Sequence, residues 1–212
     1  MFLTFEGIEG SGKSLQIKRA QAHLEKNGIR CLLTREPGGT PFGAALRPVL
    51  LGTHGYRIEP WSELLLYLAD RHQHLKEVIE PALQDGRVVL SDRYQDATRA
   101  YQGAARGISA AQIEQMTKLL NIIEPDKTIL LDLDAEEGLG RARARNMASS
   151  EAALEGRFEA EALEFHKRVR AAYLELAAKA PNRIVVVSGA GTPDEVFDRV
   201  ARLLDSWLPA RI

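Results

Sequence analysis

The chain carries, close to its start, the stretch Gly7-Ile8-Glu9-Gly10-Ser11-Gly12-Lys13-Ser14. The spacing fits G-x-x-x-x-G-K-S/T, a P-loop, in which glycines let backbone N–H groups turn toward a phosphate. The apolar run Leu3–Phe5 predicts a strand before it, and Ser14–Asn27 predicts a helix after it, whose N-terminus adds a positive dipole end. Lys13 would reach the β- and γ-phosphates, and the Ser14 hydroxyl would bind Mg²⁺. We therefore predict a nucleoside triphosphate site; the alternative is a glycine-rich turn with a chance Lys-Ser pair.

Composition narrows the class of protein. A 212-residue chain with a formal net charge of -1 suits one α/β domain, residues 1–212, and argues against a nucleic-acid coat or a polybasic membrane anchor. The single cysteine, Cys31, excludes an intrachain disulfide and lies in an apolar run that favours a buried thiol. We see no signal-peptide pattern and no apolar stretch near the ~20 residues of a membrane span. We expect a cytoplasmic protein without a nucleic-acid or membrane partner.

Hydrophobic patterning predicts alternating strands and helices. The predicted strands are Leu3–Phe5, Cys31–Thr34, Arg87–Ser91, Thr128–Leu133 and Arg183–Ser188. The predicted helices are Ser14–Asn27, Pro41–Leu51, Trp61–Gln84, Ala110–Ile123, Ala135–Arg145, Ala160–Lys179 and Asp194–Trp207. Several strands are continuous apolar runs, which is typical of a parallel sheet buried on both faces. The pattern predicts an α/β fold of the P-loop NTPase type: a doubly wound, parallel, five-stranded sheet flanked by helices, with ligands at the carboxyl ends of the strands.

One stretch is irregular. Residues Asn146–Gly156 are small and polar, and they lie between an arginine-rich helix and Arg157. Long loops in compact domains are usually functional or disordered. We define residues 141–158 as the lid segment, which is either a mobile lid or a long surface loop.

Charged residues follow the second and third predicted strands. Arg35 emerges before the turn Pro37-Gly38-Gly39, where its guanidinium could bind a phosphate; the alternative is an ion pair with Glu36. Asp92 emerges where a P-loop protein needs a carboxylate near the Mg²⁺ on its Ser/Thr, and Arg93 follows it.

A second pair of carboxylates, Asp132 and Asp134, ends the fourth strand and competes with Asp92 for the metal. We favour Asp92 because Arg93, a candidate phosphate-binding residue, follows it directly in the sequence. Asp132 and Asp134 then serve as strand-end and helix-cap residues.

Two further groups have both a functional and a structural interpretation. Tyr67 and Arg71 are four residues apart on one helix face and could read a nucleobase by stacking and hydrogen bonding; the alternative is a core tyrosine with a solvated arginine. The lid segment carries Arg141, Arg143 and Arg145, of which one could stabilise charge during phosphoryl transfer; the alternative is favourable interaction with the helix dipole.

The histidines indicate no metal or nucleophile site. His72 and His74 point to different helix faces. We interpret His23, His54 and His166 as isolated surface or core residues.

These residues together resemble the bacterial thymidylate kinases, a family of P-loop nucleoside monophosphate kinases. The matching stretches span nearly the whole chain: Phe5–Ser14 (FEGIEGSGKS), Thr34–Thr40 (TREPGGT), Glu63–Arg71 (ELLLYLADR), Asp92–Tyr94 (DRY), Ala100–Gly103 (AYQG), Arg141–Arg145 (RARAR) and Tyr173–Ala177 (YLELA). The P-loop is shared by many families, whereas the ordered set of the other motifs is specific.

The resemblance implies ATP-dependent, Mg²⁺-assisted phosphorylation of dTMP to dTDP by a homodimer. It places ATP on Gly7, Ile8, Glu9, Gly10, Ser11, Gly12, Lys13, Ser14 and Arg141, and the metal on Ser14 and Asp92. It places dTMP on Glu9, Arg35, Pro37, Arg47, Tyr67, Arg71, Arg93, Thr98 and Gln102. Lys13, Arg93 and Arg145 match catalytic positions, and the loop Ser188–Gly191 matches the place where the adenine passes.

Three features depart from the family pattern. Tyr67 stands where a phenylalanine commonly stacks on thymine, and Ala97-Thr98 stands where two serines are common. The lid segment looks longer than in relatives. Some relatives carry the catalytic arginine in the P-loop; here Gly10 and Ser11 leave that task to the lid.

Three other functions share some of these sequence features. Another acceptor (dUMP, CMP or a deoxynucleoside) is the nearest alternative, although the phosphate-binding arginines argue against a free nucleoside. A GTPase should carry Asn-Lys-x-Asp and Asp-x-x-Gly, and the sequence has neither. A nucleotide-binding regulator without turnover fits the same motifs.

Overall fold

One parallel sheet organises the residues that the structure, a computed structural model, describes, namely 1–148 and 156–208. In this part of the chain five strands pair in the order β2-β3-β1-β4-β5, and every pairing is parallel. The strands are β1 Phe2–Glu6, β2 Cys31–Arg35, β3 Val88–Asp92, β4 Lys127–Asp132 and β5 Ile184–Ser188. The predicted doubly wound sheet is confirmed.

Helices cover both faces of the sheet. They are α1 Lys13–Lys26, α2 Pro41–Leu51, α3 Pro60–His74, α4 Glu80–Gln84, α5 Gln95–Thr98, α6 Ala110–Leu119, α7 Ala135–Ala148, α8 Leu163–Lys179 and α9 Pro193–Trp207. Two π-helical turns, Leu75–Ile79 and Arg99–Ala105, continue α3 into α4 and extend α5. No helix among the described residues is long and apolar enough to cross a membrane.

The sheet separates two apolar layers. Leu3 and Phe5 of β1 face α1 and α9, where they pack with Ile17 and Val200. The other layer joins β4 to the second half of the chain and includes Ile8, Ala100, Leu130, Phe165, Val169 and Tyr173. Because β1 is buried along its whole length, its carboxyl end and the P-loop that follows are held at a fixed place on the sheet edge.

Local sequence signals explain where several helices begin. The Thr40 hydroxyl accepts a hydrogen bond from the Gly43 N–H (2.9 Å), and Pro41 occupies the first turn of α2. Thr192 and Glu195 form a capping box at the start of α9. These are polar or proline residues directly before an apolar-periodic run, which is why the sequence predicted these starts closely.

Several predicted boundaries were wrong. The helix predicted to reach Ile123 ends at Leu119, because Asn121 takes a left-handed conformation (φ 50°) and Ile122 turns into a buried cluster. The helix predicted from Ala160 begins at Leu163. The helical stretch over residues 95–105 was not predicted; it is short and polar, and its packing against α8 stabilises it.

The lid segment departs from its prediction at its start. Helix α7 runs on to Ala148, so Asn146–Ala148 are helical rather than loop. Residues 149–155 of the predicted lid lie outside the described residues. The arginine pair Arg141 and Arg143 therefore precedes the last turn of α7, and the helix-dipole interpretation applies to Arg145 alone among the three.

Helix α7 begins in direct contact with the P-loop. A Cβ atom on Gly138 would lie 2.7 Å from the backbone oxygen of Glu9 and 2.7 Å from Cδ1 of Ile8. A Cβ atom on Gly140, one half-turn further along the same helix, would meet nothing within 4 Å. The absence of a side chain at position 138 thus sets how closely α7 approaches the phosphate-binding loop.

We predict that G138A destabilises the protein by about 1–3 kcal/mol, because the loop backbone must move to admit the methyl group. G140A is the matched control; it should be neutral or stabilise by up to ~1 kcal/mol through better helix propensity. Urea unfolding of both variants measures the difference. Equal stabilities would show that α7 does not constrain the loop.

Candidate active site

The P-loop has the backbone that its glycines predict. Gly7, Gly10 and Gly12 take φ angles of 142°, 72° and 91°, which residues with a side chain rarely adopt. Helix α1 starts directly after Gly12, at Lys13. The Lys13 ammonium lies inside the loop and donates to the carbonyl oxygens of Gly7 (2.9 Å) and Ile8 (2.7 Å). Burial, with repulsion from Arg93, lowers the pKa of Lys13 to about 8. A phosphate in the loop would favour the charged form.

The register of the sheet brings an acidic side chain to the P-loop. Phe5 of β1 pairs with Asp92 of β3, and the Ser14 hydroxyl donates a 2.7 Å hydrogen bond to Oδ2 of Asp92. The competing pair is engaged elsewhere: Asp132 binds the Arg170 guanidinium through two bonds (2.7 and 3.0 Å). Asp134 accepts from the Glu136 N–H (2.9 Å) and caps α7.

The Ser14–Asp92 pair suits a hard divalent cation. It offers a hydroxyl and a carboxylate oxygen, and Mg²⁺ is usually held by one or two such groups together with substrate phosphates and water. Within the described part of the chain, no cluster of three or more His, Cys, Asp or Glu side chains forms a separate metal site. The donor set therefore fits a nucleotide-bound Mg²⁺.

Arg93 links the P-loop to the second half of the site. Its backbone is left-handed (φ 69°), a strained conformation for a residue with a side chain. The guanidinium donates to the Gly7 carbonyl (3.1 Å) and to Oε1 of Glu9 (2.9 Å), and it lies 4.9 Å from the centre of the Tyr101 ring. These contacts hold Arg93 between the P-loop and Tyr101.

Glu9 is a buried carboxylate surrounded by donors. Besides Arg93, the Tyr101 hydroxyl donates to Oε1 (2.6 Å), and Nδ1 of His166 lies 3.3 Å from Oε2. Burial alone would raise the pKa of Glu9, but the charge of Arg93 and these neighbours hold it well below its usual range. His166 was interpreted as an isolated surface or core residue; it is a core residue, but it is paired with Glu9 rather than isolated.

Arg71 is a buried residue of the site, so the interpretation of a solvated arginine was wrong. It is 1% exposed, and it donates through Nε to Glu36 (2.7 Å), through NH1 to Thr98 (2.8 Å) and through NH2 to the Tyr94 carbonyl (3.0 Å). Tyr67, one turn away on α3, is half-buried, and burial raises the pKa of its phenol. The two side chains share one face of α3, as predicted.

The turn after β2 carries the remaining predicted side chains. Glu36 binds Arg71 and Nδ1 of His74 (2.9 Å), so the predicted alternative of an Arg35–Glu36 pair was wrong. Arg35 is exposed at the carboxyl end of β2. Arg47 donates to the Pro37 carbonyl (2.6 Å), which brings its guanidinium over the turn that follows Arg35.

Gln102 and the arginines of α7 complete the predicted set. Gln102 donates through Nε2 to Glu63 (2.7 Å). Arg141 donates to the carbonyl of Gly189 (3.3 Å) in the loop after β5, and Arg145 donates to Glu159 (2.9 Å).

Comparison with known proteins identifies the family. A family model described as thymidylate kinase matches residues 5–200. The chain belongs to the thymidylate kinase family. It is 50% identical over 211 residues to the thymidylate kinase of Nitratidesulfovibrio vulgaris, with 99% of this chain and 98% of that one covered. It is 50% identical over 201 residues to that of Solidesulfovibrio magneticus, covering 94% and 96%.

A solved structure supports the same family and fold. The thymidylate kinase of Ehrlichia chaffeensis superposes with a TM-score of 0.74 at 33% sequence identity, over 96% of this chain and 98% of that one. The five parallel strands described above are therefore the sheet of a P-loop nucleotide kinase.

Sequence reasoning missed the buried groups that support the family's site. Glu6 ends β1 and accepts from the Tyr94 N–H (2.8 Å), the Ala97 N–H (3.2 Å) and the Tyr173 hydroxyl (2.6 Å). His166 and Tyr173 are seven residues apart on one face of α8, a spacing that could have flagged both. Glu6 has no comparable sequence signal, because a glutamate at the end of an apolar strand is expected to be a loop residue.

Burial raises the pKa of Glu6 to about 7, against the opposing charge of Arg93. The folded state therefore favours protonated Glu6. The resulting contribution to the unfolding free energy is fully present below pH ~4.5 and is lost as the pH rises through about 7. We predict that the wild type loses about 3 kcal/mol of unfolding free energy relative to E6Q across this window. Denaturant titrations from pH 4.5 to 8 test this, with the exposed E136Q as control; parallel profiles for wild type and E6Q would contradict it.

Proposed function

We propose a division of labour among these residues for the phosphorylation of dTMP to dTDP by ATP, the reaction that membership of the thymidylate kinase family gives this chain. Arg93 carries the proposal. Its guanidinium contacts the P-loop through Gly7 and the acceptor side through Glu9, so two phosphate-bearing substrates would meet at one cation.

The donor, ATP, occupies the P-loop. The proposed binding residues are Gly7, Ile8, Glu9, Gly10, Ser11, Gly12, Lys13, Ser14 and Arg141. Support for an adenine subsite in the loop Ser188–Gly191 comes from two contacts: Arg141 binds the Gly189 carbonyl, and a Cβ on Gly189 would lie 3.2 Å from the Ser11 backbone oxygen. That loop therefore lies beside the phosphate cradle.

Ser14 and Asp92 are the proposed Mg²⁺ residues. When bound with the nucleotide, Mg²⁺ would neutralise negative charge on the β- and γ-phosphates. The contribution of the protein is to hold a hydroxyl and a carboxylate 2.7 Å apart at the start of α1.

The acceptor, dTMP, occupies the pocket on the other side of Arg93. The proposed phosphate-binding residues are Arg35, Pro37, Arg47 and Arg93. Glu9 is the residue proposed to sense the sugar hydroxyl. The base is read by Tyr67, Arg71, Thr98 and Gln102, of which Arg71 and Thr98 are already hydrogen-bonded to each other at 2.8 Å.

Positioning and charge suffice for the chemistry. The attacking oxygen belongs to a phosphate that is already ionised, so neither Asp92 nor Glu9 is needed as a general base. Lys13, Arg93 and Arg145 act on the charge that spreads over the transferred group, and ordering the two substrates removes much of the entropic barrier. Closure of the lid segment would exclude water.

We also propose that the protein works as a homodimer in the cytoplasm, without a nucleic-acid or membrane partner. The dimer is supported by Trp61 and Leu65, which are one turn apart on α3 and 44% and 50% exposed. The single cysteine of the sequence supports a reducing compartment. Light scattering after size exclusion measures the oligomeric state directly.

A coupled ADP-release assay with ATP and Mg²⁺ tests the function. We expect rapid turnover with dTMP, slower turnover with dUMP, and little with dCMP, dGMP or thymidine. Preference for another acceptor would keep the donor site but contradict the base pocket. ATP binding without acceptor-dependent turnover would favour a nucleotide-binding regulator.

We predict that R145A lowers kcat by about 10³-fold and changes either KM by no more than a few fold, since the lid cation acts mainly in the transition state. R143A is the matched control, because Arg143 is exposed on another face of α7 and should leave turnover unchanged. Steady-state kinetics with both substrates measure this. Normal turnover of R145A would remove Arg145 from the catalytic set.

A further inference from the structure

A carboxylate that the reaction does not use is buried at the far end of the base pocket. Glu63 of α3 is 0% exposed. Its Oε1 accepts from Nε2 of Gln102 (2.7 Å) and from Arg106 (3.4 Å), and its Oε2 accepts from NH1 of Arg157 (2.6 Å). All three contacts place an N–H donor against a carboxylate oxygen, so both oxygens of Glu63 act as acceptors.

This contact fixes which way the Gln102 amide faces. A glutamine amide has a donor end and an acceptor end, and a half-turn about its last torsion exchanges them. Because Oε1 of Glu63 already accepts from Arg106 and accepts here as well, the donor end of Gln102, Nε2, faces it. The carbonyl oxygen Oε1 is then directed away from Glu63, and it has no hydrogen-bond partner among the described residues.

The orientation matters because of where Gln102 lies. Helix α3 and the segment from Thr98 to Gln102 are joined by two side-chain contacts, Arg71–Thr98 at one end and Glu63–Gln102 at the other. Tyr67 lies midway between Glu63 and Arg71 on α3, four residues from each. A base stacked on Tyr67 would therefore have Arg71 on one side and Gln102 on the other.

The two ends of this pocket present a defined hydrogen-bonding pattern. Three of the five N–H groups of Arg71 are used by protein partners, which leaves donors for a ligand. With Gln102 held as described, the pocket offers a donor and then an acceptor. Thymine presents the complement, an O4 acceptor and an N3–H donor, whereas cytosine presents an amine and an unprotonated N3.

We propose that Glu63 is a positioning residue for base specificity: it locks the Gln102 amide with its carbonyl oxygen toward the base, so that the pocket accepts N3–H and rejects an unprotonated N3. Arg157, which also donates to the Leu50 carbonyl (2.5 Å), holds Glu63 in place from the segment after residue 156. The inference rests on the proposed function and adds a residue that determines its substrate class.

The test compares dTMP with 5-methyl-dCMP. The two nucleotides share the phosphate, the sugar and the 5-methyl group, and they differ only at the base edge. The readout is the ratio of kcat/KM for dTMP to kcat/KM for 5-methyl-dCMP. A mainly structural defect lowers both values together and leaves this ratio unchanged.

In E63Q the residue at position 63 can donate or accept, so Gln102 is free to turn. We expect the ratio to fall by at least about tenfold, with KM for ATP within twofold of wild type. The control is E161Q. Oε1 of Glu161 lies 2.7 Å from NH2 of Arg106, so this variant also removes a carboxylate that pairs with Arg106 but leaves the contact with Gln102 unchanged. We expect E161Q to keep the wild-type ratio. An unchanged ratio in E63Q would overturn the proposal.

The exchange variant E63Q/Q102E provides a second test. This test can still be carried out if E63Q alone fails to fold. It keeps the number of carboxylates at this contact unchanged, and a carboxylate at position 102 presents an acceptor in either orientation. We expect its preference for dTMP to return to within about threefold of wild type. Loss of the preference there would overturn the inference while leaving dTMP phosphorylation intact. Failure of the wild type to use dTMP would overturn both.

Discussion

Buried carboxylates held by donors from distant parts of the chain are the constraint on which this site depends. Glu6, Glu9, Glu36 and Glu63 are all buried, and each receives a hydrogen bond from a residue in a distant part of the chain. For the three that pair with an arginine, Glu9, Glu36 and Glu63, removing one partner of the buried charged pair costs about 3–5 kcal/mol. The elements that supply the donors must therefore pack in one arrangement for the sheet edge to be stable.

The same pairs order the cations of the site before any substrate arrives. Arg93 keeps a left-handed backbone because the Gly7 carbonyl, Glu9 and the Tyr101 ring together determine its position. Arg71 is held in the same way by Glu36 and Thr98. Little reorganisation is then required when charge develops during transfer, which is the general advantage of a preorganised polar site.

The sequence predicted the sheet and the P-loop, because these depend on local signals. Apolar runs mark strands, glycine spacing marks the loop, and parallel strands bring their ends to one edge, which placed Asp92 beside Ser14. The pairing of Glu63 with Gln102 and Arg157 had no local signal, since its members are far apart along the chain. The pairing of His166 with Glu9 was not predicted for the same reason.

The contacts of the arginines also separate positioning from catalysis. Arg71 and Arg157 are tied to buried carboxylates, so moving either would leave a charge unpaired in the interior. Arg145 is 54% exposed and binds Glu159 through a single N–H group, and Arg141 pairs with the exposed Glu137. Exposed pairs contribute only about 0–1 kcal/mol. An anionic phosphate can therefore displace Glu137 from Arg141 at small cost, whereas Glu159 beside Arg145 is buried, like the carboxylates that hold Arg71 and Arg157.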